Sequence, residues 1–403
     1  MKEAYLEGWF RTIQLFSHSA KTTERIRRSV LSILLTCALF TGCATNPVTG
    51  KPEFSIISEQ QEIQMGSEQY PYIIQMSGGE YTLDPDLSQY VNEIGQKLAR
   101  VSDRPHLPYA FTIVNDSSWN AWALPGGKIA INRGLLESMR NESELAAVLG
   151  HEIVHSAARH SAQQQERNLW MQAGLAGLLI AVDADYQDMA LDLGSLGAGL
   201  ANLSYSRSAE TEADEYGISY MVEAGYDPNG AVTLQELFAE NAASAGGWLS
   251  THPASMDRVI QNRNQAQALQ KDGYVGTSEY RVRTRRLQQR MPAYDLYDKG
   301  LEALKKGNAE QALKFSLQAR NRVPEEALFY GLSAQAYEKL GNTRAALQAM
   351  DQAIQRNPEW FYFYLNRAKL HETLGNRKQA KADYQASYDL LPTEEAKVKA
   401  SQP

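Results

Sequence analysis

The pattern of hydrophobic and polar positions predicts a mainly helical chain with one small β-sheet. Residues 59–76 and 84–99 have the pattern of two helices. Bulky and smaller side chains then alternate along 109–114, which predicts a strand, and a further strand is predicted at 128–131 after a Pro-Gly-Gly turn. A longer apolar stretch at 142–160 returns to a helical pattern.

This apolar stretch carries a pattern typical of a metal site. The helix is predicted to begin after Asn141, which caps it with Glu144 three residues later. Its centre contains His151, Glu152 and His155 in a His-Glu-x-x-His arrangement. At about 100° per residue the two histidines lie roughly 40° apart on one face, so both imidazoles can bind one ion. Glu152 projects beside them and is not placed as a ligand.

Two imidazoles and one carboxylate leave a zinc ion with an open position, where the pKa of a water falls to about 7. Glu152 is then predicted to be the general base in attack on a peptide carbonyl. The alternative is a solvated helix that carries these residues by chance. Apolar neighbours argue against it because buried imidazoles need partners. These neighbours are Val148, Leu149, Ile153 and Val154.

A second predicted helix supplies the missing carboxylate. It begins after Ser206 and stops before Gly225. Glu210 and Asp214 are four residues apart and share a face of this helix. We predict Glu210 as the third zinc ligand and Asp214 as the acceptor that fixes the tautomer of a ligand histidine. Without the histidine motif, both would be interpreted as a solvated acidic face.

The C-terminal third contains an internal repeat of 34 residues. Helix-breaking and small residues recur in one register. The recurring positions are Pro324, Pro358 and Pro392, Gly307, Gly341 and Gly375, and Ala312, Ala346 and Ala380. This period, with glycine between two helices and proline at the end, is typical of tetratricopeptide (TPR) repeats. Three stacked repeats are predicted to offer a groove to a protein partner, and a mere brace for the preceding domain is the alternative.

Charge and the N-terminus restrict the classes of function. A net charge of −7 does not favour nucleic-acid binding. Residues 1–42 combine arginines, an apolar stretch of eleven residues and small residues before Cys43, which is typical of a signal peptide. The five residues that end at Cys43 resemble a lipobox, so Cys43 is predicted to be lipidated. Ordinary cleavage, which leaves a soluble exported protein, is the alternative.

These motifs together resemble the gluzincin peptidases that include HtpX, the CAAX prenyl endopeptidase, the mitochondrial Oma protease and the exported bacterial BepA-like proteins with C-terminal TPR repeats. The resemblance covers roughly 54–260, including the stretch from Asn120 to Gly127. It implies a zincin-like catalytic domain that binds one Zn²⁺ through His151, His155 and Glu210.

Three further predictions concern residues around the zinc site. His252 matches the family pattern and is predicted either to stabilise the oxyanion or to bind zinc in a resting state. The edge strand 121–124 is predicted to pair with a peptide substrate, with a structural hairpin as the alternative. Its residues are Ala121, Trp122, Ala123 and Leu124. His160 is excluded because it lies about 180° around the helix from His151. A Gly-rich stretch at 171–203 is predicted to be a lid or a buried helix pair.

We therefore expect a signal peptide (1–42), a tether (43–58), a zinc peptidase domain (59–270), a linker helix (271–292) and three TPR repeats (293–403). The expected function is cleavage of unfolded or misassembled envelope proteins. The protein is expected in the periplasm, held at the outer membrane only by the lipid on Cys43. The rival function is a TPR chaperone or adaptor whose peptidase half is latched or inactive.

Overall fold

The computed structural model describes residues 43–167, 205–253, 256–269 and 272–401. The chain divides into two compact units, Met1–Ser58 and Glu59–Pro403. The predictions of a signal peptide at 1–42 and of a lid at 171–203 lie outside the described residues.

The described part of the first unit is a short hairpin. Strands β1 (Cys43–Thr45) and β2 (Pro52–Phe54) pair antiparallel, with Cys43 opposite Phe54. The side chain of Asn46 holds the turn, because its Oδ1 accepts from the backbone N–H of Val48 at 2.9 Å. The predicted tether therefore contains local structure.

The second unit contains a three-stranded sheet of β3 (Ala110–Val114), β4 (Ala121–Leu124) and β5 (Lys128–Asn132). Their order is β3-β5-β4, with β5 parallel to β3 and antiparallel to β4. The predicted hairpin turn therefore joins β4 to the central strand. Consequently β4 lies at one edge of this sheet.

The other regular elements among the described residues of this unit are helices. Those of the predicted peptidase domain are α1 (Glu59–Met76), α2 (Pro85–Ala99), α3 (Arg133–Ser138), α4 (Glu142–Ala157), α5 (Arg207–Glu223), α6 (Asn229–Glu240), α7 (Gly246–Thr251) and α8 (Met256–Leu269). Those that follow are α9 (Thr277–Arg283), α10 (Arg285–Lys305), α11 (Ala309–Arg322), α12 (Ala327–Lys339), α13 (Thr343–Arg356), α14 (Phe361–Thr373), α15 (Arg377–Leu390) and α16 (Glu394–Ser401).

The linker helix differs from its prediction. Its basic residues suggest a solvated segment, yet Tyr280, Thr284 and Leu287 are almost fully buried. The Tyr280 hydroxyl donates to the carbonyl of Leu136 at the end of α3. The segment also continues without a break into the first helix of the repeats, because α10 runs from Arg285 to Lys305. One face of this segment is therefore packed against the preceding helices, and Arg286 and Arg290 also contact that part of the chain, through Asp84 and Asp86 and through Tyr81.

The repeats follow the predicted register. Helices α10 and α11, α12 and α13, and α14 and α15 form three pairs. The glycine in each connecting turn has a positive φ, of 79° at Gly307 and 75° at both Gly341 and Gly375. L-residues avoid this left-handed region, which accounts for glycine at each position. The recurring alanines are buried and let the paired helices approach closely.

Among the described residues, no helix has the length and apolarity needed to cross a lipid bilayer. The predicted fold class, mainly α with a small sheet and a C-terminal helical repeat, is confirmed.

Candidate metal centre

The centre is built on α4, whose sixteen residues are all buried. Asn141 caps the helix as predicted, since its side chain accepts from the N–H of Glu144 at 2.9 Å. The Glu144 carboxylate reaches back one residue further than a capping box requires and accepts from the N–H of Arg140 at 2.7 Å. The start of α4 is therefore fixed by side chains at both ends of its first turn.

Helix α5 crosses α4 where two glycines face each other. A Cβ at Gly217 would lie 3.0 Å from the backbone N of His151. A Cβ at Gly150 would lie 3.0 Å from the carbonyl O of Gly217. Because neither residue has a side chain, the two helices approach closely enough for short acidic side chains on α5 to reach the imidazoles on α4.

Four buried side chains converge at this crossing: His151, His155, Glu210 and His252. The Nε2 atoms of His151 and His155 are 3.1 Å apart. Glu210 Oε1 lies 3.4 Å from His155 Nε2, and Glu210 Oε2 lies 3.6 Å from His151 Nε2. His252 Nδ1 lies 3.2 Å from His151 Nε2 and 3.0 Å from Glu210 Oε1. The structure thus brings together the three predicted ligands and adds His252 as a fourth donor.

Asp214 lies beside the cluster, in the place expected of it. Its Oδ1 is 3.0 Å from His151 Nδ1, so a donated N–H there leaves His151 Nε2 free to face the other donors. Arg258 holds the carboxylate with two hydrogen bonds, from Nε at 2.6 Å and from Nη2 at 2.9 Å. Its Nη1 also lies 2.8 Å from Glu210 Oε2. One guanidinium therefore neutralises both Glu210 and Asp214.

Glu152 is fully buried at the edge of the cluster. Neither carboxylate oxygen accepts a hydrogen bond among the described residues, and His252 Nε2 lies 3.4 Å from Oε1. A buried carboxylate without a donor is costly, which marks this group as one with a chemical role.

Burial and neighbouring charges shift the acids of this centre in opposite directions. Burial raises the pKa of Glu152, and the charges of His252 and His151 offset this only in part. Burial also raises the pKa of Glu210, but the charge of His252 and the hydrogen bonds from His155 and His252 outweigh it, so this pKa lies well below its ordinary value. Burial lowers the pKa of His155 well below its ordinary value. Neutral imidazole is the form that binds metal.

Aromatic rings hold two of the imidazoles. The Tyr205 ring stacks on His155 with 3.7 Å between ring centroids and 17° between planes. The Trp248 ring stacks on His252 at 4.1 Å and 21°. Neither aromatic residue was predicted, because nothing in the sequence links positions so far from the motif.

The edge strand lies next to this centre. Its four residues are buried, and among the described strands β4 pairs only with β5. Part of its outer edge is already bound: the carbonyl of Ala123 accepts from the hydroxyls of Ser161 and Tyr205, at 2.9 and 3.2 Å. The position of β4 at an edge of the sheet agrees with the prediction from the sequence. Its pairing with a peptide substrate stays a prediction.

His160 is the residue on which the helical argument was wrong. Helix α4 ends at Ala157, and Arg159 has a φ of +64°, so the chain turns before His160. His160 Nδ1 consequently lies 3.0 Å from Nδ1 of His155. No glycine or proline marks this break in the sequence.

A zinc ion fits the donor set. Tetrahedral ligands at 2.0–2.1 Å from zinc lie roughly 3.3 Å from one another, and the donor separations given above run from 3.0 to 3.6 Å. Three imidazole nitrogens and a carboxylate oxygen also suit the chemistry of zinc.

The site and the repeats together resemble those of a class of proteins: helix-borne His-Glu-x-x-His metallopeptidases with a TPR domain. Residues 85–265 match the model of Peptidase family M48. Residues 327–359 and 361–393 match the tetratricopeptide repeat model, to which the structure adds a third helix pair. The predicted family is confirmed.

Proteins of known activity are similar to the chain. The Beta-barrel assembly-enhancing protease of Escherichia coli K12 is 32% identical over 232 residues, which are 55% of this chain and 47% of that protein. The Mitochondrial metalloendopeptidase OMA1 of Schizosaccharomyces pombe is 31% identical over 227 residues, 55% of this chain and 65% of that protein. The solved Arabidopsis OM64 TPR domain is 26% identical with a TM-score of 0.27, over 28% of this chain and 93% of that domain. The chain thus spans about half the length of the bacterial relative.

Proposed function

We propose that the chain is a zinc-dependent metalloendopeptidase in which His151, His155 and Glu210 bind the ion and Glu152 is the catalytic acid and base. The observation that carries this proposal is the convergence of the three donors, fully or almost fully buried, around one point with Glu152 beside them. Bound zinc supplies a Lewis acid and lowers the pKa of a water at its open position. The family match and the metalloendopeptidase relatives support the same reaction.

Glu152 has the position required for proton transfer. Its oxygens accept no hydrogen bond from the described residues, so they are available to take a proton from the attacking water and to deliver it to the leaving amine. Asp214 and Arg258 have a different role. Through the hydrogen bonds described above they hold His151 in one orientation.

The substrate would bind between β4 and an apolar pocket. The pocket has a volume of about 140 Å³ and opens beside His151 and His252. Its wall is mainly aliphatic and aromatic, with Val148, Ile218, Met221, Leu234, Phe238 and Trp248 among its residues. We propose that an extended peptide pairs with β4 while one of its apolar side chains enters this pocket.

His252 would keep the enzyme in a resting state in this conformation. Its Nδ1 lies as close to the other donors as they lie to one another, so it completes a set of four protein ligands. This geometry favours the ligand role over oxyanion stabilisation, which would need His252 to move away from Glu210. Activity would then require the release of His252, for example when a substrate binds.

The physiological role proposed is quality control of envelope proteins. The name of the Escherichia coli relative refers to β-barrel assembly, and the leader and Cys43 are typical of an exported lipoprotein. We propose a periplasmic enzyme anchored at the outer membrane through Cys43, with unfolded or misassembled envelope proteins as substrates. The TPR repeats would bind a partner or the substrate itself.

Replacement of Glu152 separates the chemistry from metal binding. Purified Glu152→Gln should contain one zinc per chain, as the wild type should, and should cleave unfolded envelope proteins at least about 100-fold more slowly, since a general base contributes about that much or more. Glu223→Gln, an exposed acid on α5, is the matched control and should cleave normally.

The same variant tests the rival function. If Glu152→Gln fully replaces the wild type in cells that lack the protein, the chain acts as a TPR chaperone or adaptor and the peptidase proposal is wrong. If the wild type binds no zinc, the proposed centre is wrong as well.

A further inference from the structure

The turn after α4 is held by buried charges. Arg159 has a φ of +64°, a conformation that side chains other than glycine rarely adopt. Its Nε lies 3.2 Å from the carboxylate of Glu62, which is fully buried. Arg104 donates to the same carboxylate and, through Nη1, to the carbonyl of Ser156 at 3.2 Å. These contacts stabilise a conformation that the local sequence alone disfavours.

This turn places His160 behind a metal ligand. His160 is 4% exposed, and its Nδ1 lies 3.0 Å from Nδ1 of His155, the ring nitrogen that faces away from the other donors. On its far side, His160 Nε2 lies 3.4 Å from Oε1 of Glu212. Glu212, His160 and His155 thus form a row that ends at the donor cluster.

Only one arrangement of protons suits every contact in this row when both imidazoles are neutral. The Glu212 carboxylate only accepts, so the proton of His160 must be on Nε2. The Nδ1 of His160 is then an acceptor, and His155 Nδ1–H donates to it. The remaining nitrogen of His155, Nε2, therefore has a free lone pair, and it is the atom that faces His151 and Glu210.

We propose that His160, oriented by Glu212, is a positioning residue that fixes the tautomer and the ring orientation of the metal ligand His155. It does for His155 what Asp214 does for His151, although it accepts with a neutral ring instead of a carboxylate. Ligand histidines commonly donate their second N–H to such a partner, and the partner contributes to metal affinity. This inference rests on the proposed zinc site.

Zinc affinity of the full chain tests the proposal, measured by competition with a chromophoric chelator at fixed pH. His160→Ala removes the acceptor and should weaken zinc binding about 10- to 100-fold. His160→Asn places an amide oxygen close to the position of Nδ1 and should restore most of the affinity. His106→Ala, at an exposed histidine, is the control and should bind as the wild type does.

Two further measurements distinguish a role of His160 in orienting His155 from a role in packing alone. In the cobalt-substituted protein, His160→Ala should change the visible absorption bands, whereas His160→Asn should leave them close to those of the wild type. Glu212→Gln can still accept from His160 and should weaken zinc binding less than His160→Ala does.

Equal zinc affinity in His160→Ala and the wild type would overturn the inference, as would an equal loss in His160→Asn and His160→Ala. Either result leaves the proposed function intact. If the wild type itself binds no zinc, the proposed function fails, and this inference fails with it.

Discussion

Two arginines in this chain make nearly the same contacts in very different surroundings. Arg258 binds both oxygens of Asp214 at 2.6 and 2.9 Å and reaches Glu210 with its third nitrogen at 2.8 Å. Arg367, in the last helix pair, binds both oxygens of Asp383 at 2.8 and 2.7 Å and reaches Asp351 with its third nitrogen at 2.8 Å. The geometry is the same, but the burial differs.

The two sites differ in how far water can reach the charged side chains. At the metal centre the side chains of Arg258, Asp214 and Glu210 are 9%, 8% and 0% exposed. In the repeats Arg367 is 22% exposed and Asp351 is 51% exposed. Without Arg367, water can solvate the half-exposed Asp351 but not the buried Asp383, whereas both carboxylates that Arg258 holds are buried. Arg367 therefore joins neighbouring helices of the repeats, whereas Arg258 keeps Asp214 and Glu210 beside the histidines of the candidate metal centre.

Arg258→Ala should have the largest effect on stability. It leaves Asp214 and Glu210 buried without their cation, a type of change that costs about 3–5 kcal/mol. Denaturant unfolding of the metal-free protein should show this loss, and zinc should recover part of it because the ion neutralises Glu210. Unfolding identical to that of the wild type would mean that the arginine does not balance these charges.

Glu137, on α3, lies close to Asp295 and Asp298 of α10, and its contribution to stability should depend on pH. Burial raises the pKa of Glu137 to about 7. The attraction of Arg133 opposes this shift, and the negative charges of Asp295 and Asp298 add to it. The folded chain then binds a proton that the unfolded chain releases near pH 4.5, so this contribution to stability is present at low pH and is lost as the pH rises through about 7. The side chain is only 14% exposed, so solvent screening is limited.

Glu137→Gln should remove this dependence on pH. Relative to the wild type, the variant should gain up to roughly 3 kcal/mol between pH 4.5 and pH 8, because one pKa unit corresponds to about 1.4 kcal/mol. The measurement is the free energy of unfolding at a series of pH values. A difference between the two proteins that stays constant over this range would contradict the prediction.

Arg367→Ala tests the same comparison in the repeats, where the loss of stability should be smaller. Asp383 loses two charge-assisted contacts and Asp351 loses one, and because water can solvate Asp351 the loss should be limited to roughly 1–2 kcal/mol. Zinc affinity should not change, since Arg367 is not in the catalytic half. A loss as large as that of Arg258→Ala would remove the distinction between the two arginines.

Gly341→Ala should have the smallest effect. The glycine has a φ of 75° with no atom within 4 Å of an added Cβ, so the cost is backbone strain alone, about 1 kcal/mol. The unfolding temperature should fall slightly. Gly246→Ala is the control, because that glycine has similar open space and no positive φ.

The sequence predicts those parts of the molecule that depend on local patterns. The metal helix, its cap at Asn141, the helix that carries Glu210 and the 34-residue register were all predicted, because helical period, capping and turn chemistry act between near neighbours. The resemblance to the peptidase family followed from the same motifs, and residues 85–265 match the family model.

What could not be predicted depends on contacts between distant residues. The turn at Arg159 is stabilised by Glu62 and Arg104, which come about 97 and 55 positions earlier and leave no local signal. His160 was excluded for this reason, because the helical projection assumes that α4 continues. The buried face of α9 was also missed, since Tyr280 is followed by several arginines in the sequence and contacts the end of α3 in space.

Zinc X-ray absorption on the purified chain tests the central claim most directly. The wild type should contain one zinc per chain with three imidazole nitrogens and one carboxylate oxygen in its first shell. In His252→Ala one imidazole should be replaced by a light solvent atom, while His151, His155 and Glu210 remain. An ion with fewer than two imidazoles, or no bound zinc at all, would contradict the account.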